Sequence, residues 1–334
     1  MDAERSHSLA LQALGLGVAS FLAPPLPPIH SRLRRTLFGK TLAHPIALAA
    51  GFDKDAVAYQ PLHALGFSAI EVGSITPQPH AGNPRPRLWR VKDKAIINSY
   101  GLNNKGLTAL KRAIAPFKHS HRLLGVSVAS IKSTTDAILE DFSHTIDALQ
   151  ESTADYIALN LSCPNVSHGN VAILSPQFLQ QLCRLKHHKH WTVPLLLKIP
   201  CALEDKTYTA ITQLAIKNGF AGLIVGNTSP QHNHAHKGGL SGTPLGTAAE
   251  HALAVVHRAR KNSKNFVLIS SGGVMDGFAA YRRLHKGADM VQIYTAFIYD
   301  GLNTLPDFIS AMNQACHKKT PSSLPKRTLI RNVA

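Results

Sequence analysis

The chain has 334 residues, 44% of them hydrophobic, enough for one large barrel or two smaller domains around a buried core. Its formal charge of +17 favours anionic partners such as lipid head groups or phosphorylated cofactors, but Lys and Arg are scattered, with no arginine-rich tail or basic-aromatic interleaving, which argues against nucleic acid. The four cysteines, Cys163, Cys183, Cys201 and Cys316, contain no CxxC pair and no regular spacing, which argues against a zinc cage or a disulfide framework.

Residues 6–31 carry no formal charge, and Leu11, Leu14, Val18, Phe21 and Leu22 recur at helical spacing before Pro24-Pro25 and Pro27-Pro28 stop the helix. The apolar run 9–23 falls short of the roughly 20 residues needed to span a bilayer, so an element lying in or on the interface is expected. Arg32, Arg34, Arg35 and Lys40 follow as a basic patch placed to meet lipid head groups. Residues 1–40 therefore read as a helical extension and 41–334 as the main domain.

Apolar, β-prone runs then recur at 45–50, 69–75, 123–129, 156–161, 195–199, 222–226, 267–270 and 290–294. They alternate with helical segments such as 107–117, 175–187, 208–218, 247–261 and 277–286. This is the α/β pattern of a (β/α)8 TIM barrel. An open doubly wound sheet would carry a glycine fingerprint after its first strand, and Gly51-Phe52-Asp53-Lys54 is not one. Residues 76–104, with Pro77, Pro79, Pro84 and Pro86, form a long insertion on the face where barrel loops carry function.

Nearly every run ends in residues a core would not choose. The ends supply Ala50, Gly51, Asp53 and Lys54, then Gly73 and Ser74, then Asn160, Ser162, Cys163 and Asn165, then Lys198. The last three runs supply Asn227 and Thr228, Gly272 and Gly273, and Tyr294 and Thr295. In a barrel all of these face one cavity. Gly272-Gly273 and Tyr294-Thr295 sit where barrels bind phosphate, which indicates a phosphorylated cofactor. Lys198, in mid-run among Leu195, Leu196, Leu197 and Ile199, requires an anionic ligand or a structural salt bridge. Asn98, Asn160, Asn165 and Asn227 suit a planar heterocycle with carbonyls and ring N–H groups, and Lys54 suits its carboxylate. The sets His232, His234, His236 and His187, His188, His190 read as solvent-facing, and no metal site is expected.

Several stretches keep a known order and spacing. They are Ala49-Ala50-Gly51-Phe52-Asp53-Lys54-Asp55, Gly73-Ser74-Ile75-Thr76-Pro77, Pro86-Arg87-Leu88-Trp89-Arg90, Asn98 with Gly101-Leu102-Asn103-Asn104, Gly238-Gly239-Leu240-Ser241-Gly242, and Val291-Gln292-Ile293-Tyr294. Over almost the whole chain these resemble the dihydroorotate dehydrogenases, specifically the membrane-associated, quinone-dependent class. Asp2-Ala3-Glu4-Arg5-Ser6-His7 resembles that class's N-terminal helical extension.

The resemblance implies FMN in the barrel mouth and oxidation of (S)-dihydroorotate to orotate in pyrimidine biosynthesis, with ubiquinone or menaquinone as acceptor. It further implies a monomer or homodimer held peripherally at the inner, cytoplasmic face of the cell membrane. Carried over by position, it assigns FMN to Ala50, Gly51, Phe52, Asp53, Lys54, Ser74, Ser127, Asn160, Lys198, Gly226, Gly242, Gly273, Tyr294 and Thr295. It assigns the pyrimidine to Lys54, Asn98, Ser99, Tyr100, Gly101, Leu102, Asn160, Asn165, Asn227 and Thr228, and the quinone to His7 and Arg90. Cys163 is implied as the base for the C5 proton, with Lys198 offsetting the charge of the reduced flavin.

Some positions depart from the class. Cys163 stands where the quinone-dependent enzymes have serine, as in the soluble class; Ser127 and Gly226 replace asparagine and threonine; Ser99 and Leu102 replace arginine and phenylalanine. Two alternatives stay open: an FMN barrel with a different pyrimidine-like substrate or a soluble acceptor, and a barrel that binds ligand without turnover.

Overall fold

The computed structural model describes residues 3–17, 22–117, 122–162 and 172–318. Its strands in chain order are β1 (Arg35–Leu37), β2 (Lys40–Leu42), β3 (Ile46–Leu48), β4 (Ala69–Ile75), β5 (Leu88–Val91), β6 (Ala95–Asn98), β7 (Leu123–Val128), β8 (Tyr156–Asn160), β9 (Leu195–Ile199), β10 (Gly222–Val225), β11 (Gly239–Gly242), β12 (Val267–Ser270) and β13 (Met290–Ile293). Eight of them close a parallel barrel in the order β10-β12-β13-β3-β4-β7-β8-β9. These are the eight apolar runs expected from the sequence, with ends matching to within two residues. They are apolar because helices cover one face and the barrel interior the other; every residue of β4 and β9 is buried.

The outer helices form where the sequence supplies caps and a buried stripe. In Pro176–Lys189 the Ser175 hydroxyl accepts the Phe178 N–H at 3.2 Å, Pro176 presets the first turn, and Phe178, Leu179, Leu182 and Cys183 face the barrel.

Alternate side chains of a strand share a face. Ala69, Leu196 and Met290 belong to the apolar cluster that fills the lower barrel. Two residues further along the same strands come Glu71, Lys198 and Gln292, all buried, so a polar layer lies directly above that cluster.

The antiparallel hairpin β1-β2 plugs the bottom, with Leu37 and Leu42 in the apolar cluster and Phe38 stacked on Tyr156 at 5.1 Å between ring centroids. This corrects the expected basic patch for Arg35 and Lys40, while Arg32 and Arg34 stay exposed. Arg35 is buried with its Nη1 donating to the Arg32 and Arg34 carbonyls, and Lys40 is paired with Asp155 at 2.8 Å. The expected boundary at residue 40 falls inside this hairpin.

The insertion also differs from a loop. β5, β6 and β11 form an antiparallel sheet over the mouth, because its apolar residues fall on two faces: Leu88, Ile96 and Tyr100 on one, and Ala95, Ile97 and Leu240 on the other.

Helix α1 (Ala3–Gly15) begins before the apolar spacing and ends sooner than expected. Glu4 in its first turn accepts from Nε and Nη2 of Arg87 at 2.9 Å, and Gly15 with Gly17 (φ 77°) closes it. Its buried residues are Glu4, His7 and Leu14, while Leu9, Leu16 and Leu22 are exposed. Val18 and Phe21 lie outside the described residues.

Candidate active site

A cavity of about 1020 Å³, counted out to its mouth, opens at the C-terminal ends of the barrel strands. Strand ends supply Ala50, Gly51, Lys54, Ser74, Asn160, Lys198, Asn227, Thr228, Gly242, Gly273, Tyr294 and Thr295 to its wall, and the insertion supplies Asn98, Tyr100, Gly101 and Leu102. The expected Cys163 and Asn165 lie outside the described residues. Phe52, Asp53, Ser99, Ser127 and Gly226 are not on the wall.

The structure gives each of these five another contact. Phe52 packs edge-on to His7 at 4.9 Å. The Asp53 carboxylate accepts the N–H groups of Val57 and Ala58 at 2.9 and 2.8 Å; burial pushes its carboxyl up, against the pull of those two bonds. Ser99 N–H donates to the Arg87 carbonyl at 2.8 Å. Ser127 is fully buried one hydrogen bond behind the wall, 2.7 Å from the Ser74 hydroxyl. Gly226 has a φ of 116° and lies so close to the Ser271 carbonyl that a Cβ would collide with it, which is why a glycine stands there.

Three of the four asparagines meet at this wall. Register sets Asn160 beside Lys198, and the Asn160 carboxamide donates to Ser74 Oγ at 2.8 Å while accepting from Asn227 Nδ2 at 3.1 Å. Asn227 Nδ2 also reaches Ser162 Oγ at 2.8 Å, and Asn98 Nδ2 donates to the Gly239 carbonyl at 3.2 Å. The carboxamides are thus held before any ligand arrives, which reduces the ordering needed to bind one.

Opposite them, Lys54 Nζ stands 3.9 Å over the Tyr100 ring. The side chain is half-buried and lines the cavity. Its burial first, and the neighbouring Arg87 charge second, lower its pKa to about 8. Among the described residues no carboxylate lies within ion-pair distance of it, so the position is suited to an anionic ligand group.

The two residues assigned to the quinone lie outside this wall. His7 Nε2 is 2.9 Å from the Phe52 carbonyl, and exposed Arg90 stands 5.7 Å over the Tyr299 ring. Burial first, then the Lys54 charge, lower the His7 pKa to about 4, so the ring is neutral and its Nε2–H donates.

His44 and His63 are also held neutral by burial, at about 4 and about 3. An unfolded chain takes up all three protons near pH 6.5, the folded one only near or below 4. Stability therefore falls as pH drops through that window, by about 1.4 kcal/mol per pH unit for each histidine. Melting temperatures measured from pH 7 to pH 4 should decline steadily, and a flat profile would contradict the burial of these rings.

The dihydroorotate dehydrogenase family model matches residues 32–315. The chain belongs to the dihydroorotate dehydrogenase family. It is 37% identical over 315 residues to the "Dihydroorotate dehydrogenase (quinone)" of Rhodospirillum rubrum, covering 90% of this chain and 83% of that one. It is 34% identical over 327 residues to the protein of the same name from Nitratiruptor, covering 94% and 90%. Among solved structures, DHODH in complex with ferulenol from Eimeria tenella superposes with a TM-score of 0.84 at 28% identity, covering 94% of this chain and 92% of that one.

On this dihydroorotate dehydrogenase barrel the floor of the cavity adds residues that the sequence did not single out. Lys198 lines the cavity and pairs with Glu71 at 3.0 Å, which is the structural salt bridge of the two readings of a lysine in mid-strand. Gln292 lines the cavity and donates from Nε2 to the same carboxylate at 2.8 Å. Their signal was the one applied to Lys198: a polar residue within a buried strand, here among Ala69, Ile70 and Val72 and among Met290, Val291 and Ile293.

Proposed function

We propose that this protein oxidises dihydroorotate to orotate with a quinone as electron acceptor and FMN as its bound cofactor. The observation that carries the reading is the single cavity in which Lys54 and three asparagines face a floor lysine and a Gly272-Gly273, Thr295 end. The donor set fits FMN. Gly242, Gly272, Gly273, Tyr294 and Thr295 would hold the phosphate end, where Thr295 Oγ1 is already tied to Ser241 Oγ at 2.9 Å, and Ser74, Asn160 and Lys198 the ring end. One buried acceptor at the floor, Gln292 Oε1, has no donor among the described residues. When bound, FMN supplies the hydride acceptor and hands the electrons on to quinone.

This chain's own residues then do the rest. Asn98, Asn160, Asn227 and Thr228 hold the pyrimidine edges, and Lys54 holds the substrate carboxylate in a site where water screens it poorly. Asn165, later in the sequence than β8, is assigned the same role by the resemblance. Cys163, three residues beyond Asn160, takes the C5 proton of dihydroorotate; a thiol, titrating near about 8.5, reaches its basic form far more readily than a serine hydroxyl. Lys198 offsets the negative charge that builds at the floor.

The quinone is proposed to enter between α1 and the barrel, past His7 and Arg90. Exposed Leu9, Leu16 and Leu22 on and beside α1 support peripheral contact with the inner face of the cell membrane. No described helix is long and apolar enough to cross a membrane. Deleting residues 1–22 should abolish turnover with quinone while dihydroorotate still reduces the bound flavin. Full quinone activity in the truncated protein would refute the assignment of α1.

A further inference from the structure

The Glu71 side chain has 0% exposure and lies inside the barrel, where three donors converge on it: Lys198 Nζ at 3.0 Å, Tyr156 OH at 3.0 Å and Gln292 Nε2 at 2.8 Å. A carboxylate is an acceptor only, so all three partners must present hydrogens to it. For Gln292 this fixes which end of the carboxamide faces Glu71 and leaves Oε1 without a donor among the described residues. Tyr156 has room for its ring only because β7 carries a glycine opposite; a Cβ on Gly125 would collide with that ring. Burial first, then the Glu71 charge, push the Tyr156 phenol well up, so it stays protonated and donates. Two of the three donors line the cavity, and one of them is the lysine assigned to the ring end of the cofactor.

A lone lysine at this floor would present a full positive charge. The structure instead presents half of an ion pair whose other half lies beneath it, out of reach of solvent and salt. We propose that Glu71 is a positioning residue that fixes Lys198 at the cavity floor and, by neutralising it from below, holds the reduction potential of the bound flavin lower than the lysine alone would set it. This rests on the FMN reading above and goes beyond it, because it makes the tuning of that cofactor a property of a residue with no surface on the cavity.

The test is the midpoint potential of the bound flavin in the full-length holoprotein, by spectroelectrochemical or dye-linked titration, with FMN affinity measured alongside by fluorescence quenching. Glu71→Gln keeps the shape and removes the negative charge, so the oxidised-to-reduced balance should shift at least tenfold toward the reduced form, a rise of about 30 mV for a two-electron couple. Tyr156→Phe removes one donor from the carboxylate and leaves its charge less compensated, so the potential should move the other way, by a smaller factor of two- to fivefold. Opposite signs from two substitutions in one buried cluster are not expected of mere loss of packing. If Glu71→Gln does not fold, the downward shift in Tyr156→Phe alone supports the proposal. Unmoved potentials in every variant that binds FMN would overturn it. A wild-type protein that takes up no FMN overturns the cofactor reading, and this inference with it.

Discussion

Replacing Cys163 with alanine is expected to leave FMN bound while slowing reduction of the flavin by dihydroorotate by about 10²- to 10⁴-fold, the range typical of a positioned general base. The loss should fall on the reductive half-reaction alone, because the quinone is proposed to enter on the α1 side. Cys163→Ser provides the discriminating companion. It restores the residue of the quinone-dependent class, and a hydroxyl needs a stronger drive to lose its proton, so its rate should lie between alanine and wild type and rise further with pH. Stopped-flow absorbance at the flavin band reads both. Unchanged reduction in Cys163→Ala would remove this residue from the mechanism.

The second large effect belongs to Lys54. Its amine faces the cavity above Tyr100, without an ion-pair partner among the described residues, and its pKa is lowered to about 8. Removing one half of an enclosed charge pair costs about 2–5 kcal/mol, so Lys54→Met should weaken orotate binding roughly 30- to 5,000-fold. The pH dependence follows with its sign. Lys54 carries its charge below about pH 8 and loses it above, so the orotate dissociation constant should be flat from pH 6 to 7.5 and rise toward tenfold per unit beyond 8. In Lys54→Met the rise should vanish. Spectral titration with orotate checks both, and wild-type orotate affinity in Lys54→Met would show that Lys54 is not the carboxylate's partner.

The barrel was legible because parallel strands buried on both faces must be apolar along their whole length, and eight such runs separated by helical spacing leave few alternatives. The sheet over the mouth was not. β11 pairs with β6 across 141 residues, Asn98 to Gly239, and strands of four residues leave too short an alternation to stand out among prolines. The start of α1 was legible from the resemblance of residues 2–7 and not from the apolar spacing, for a related reason. Its anchors to the barrel are Glu4 and His7, polar residues whose partners Arg87 and Phe52 are distant in the chain, whereas the apolar spacing downstream drew attention to residues 9–23. Arg35 and Lys40 read as surface charge because nothing local shows that a hairpin tucks them under the barrel.

At the site, polar residues within or just after buried runs located the cavity wall at Lys54, Ser74, Asn160, Lys198, Asn227 and Thr228. It could not tell a side chain facing the cavity from one turned to cap its own backbone, as Asp53 is, or one set a single bond behind the wall, as Ser127 is. Glu71 was overlooked although it obeys the same rule as Lys198. An isolated carboxylate and an isolated lysine in two buried strands are each anomalous, and pairing the two anomalies is what the barrel register accomplishes.

Anaerobic mixing of the FMN-loaded protein with dihydroorotate, followed by a quinone, tests the central claim most directly. The flavin absorbance should bleach within seconds with stoichiometric formation of orotate, and then return on addition of quinone. A flavin that stays oxidised in the presence of saturating dihydroorotate would contradict it.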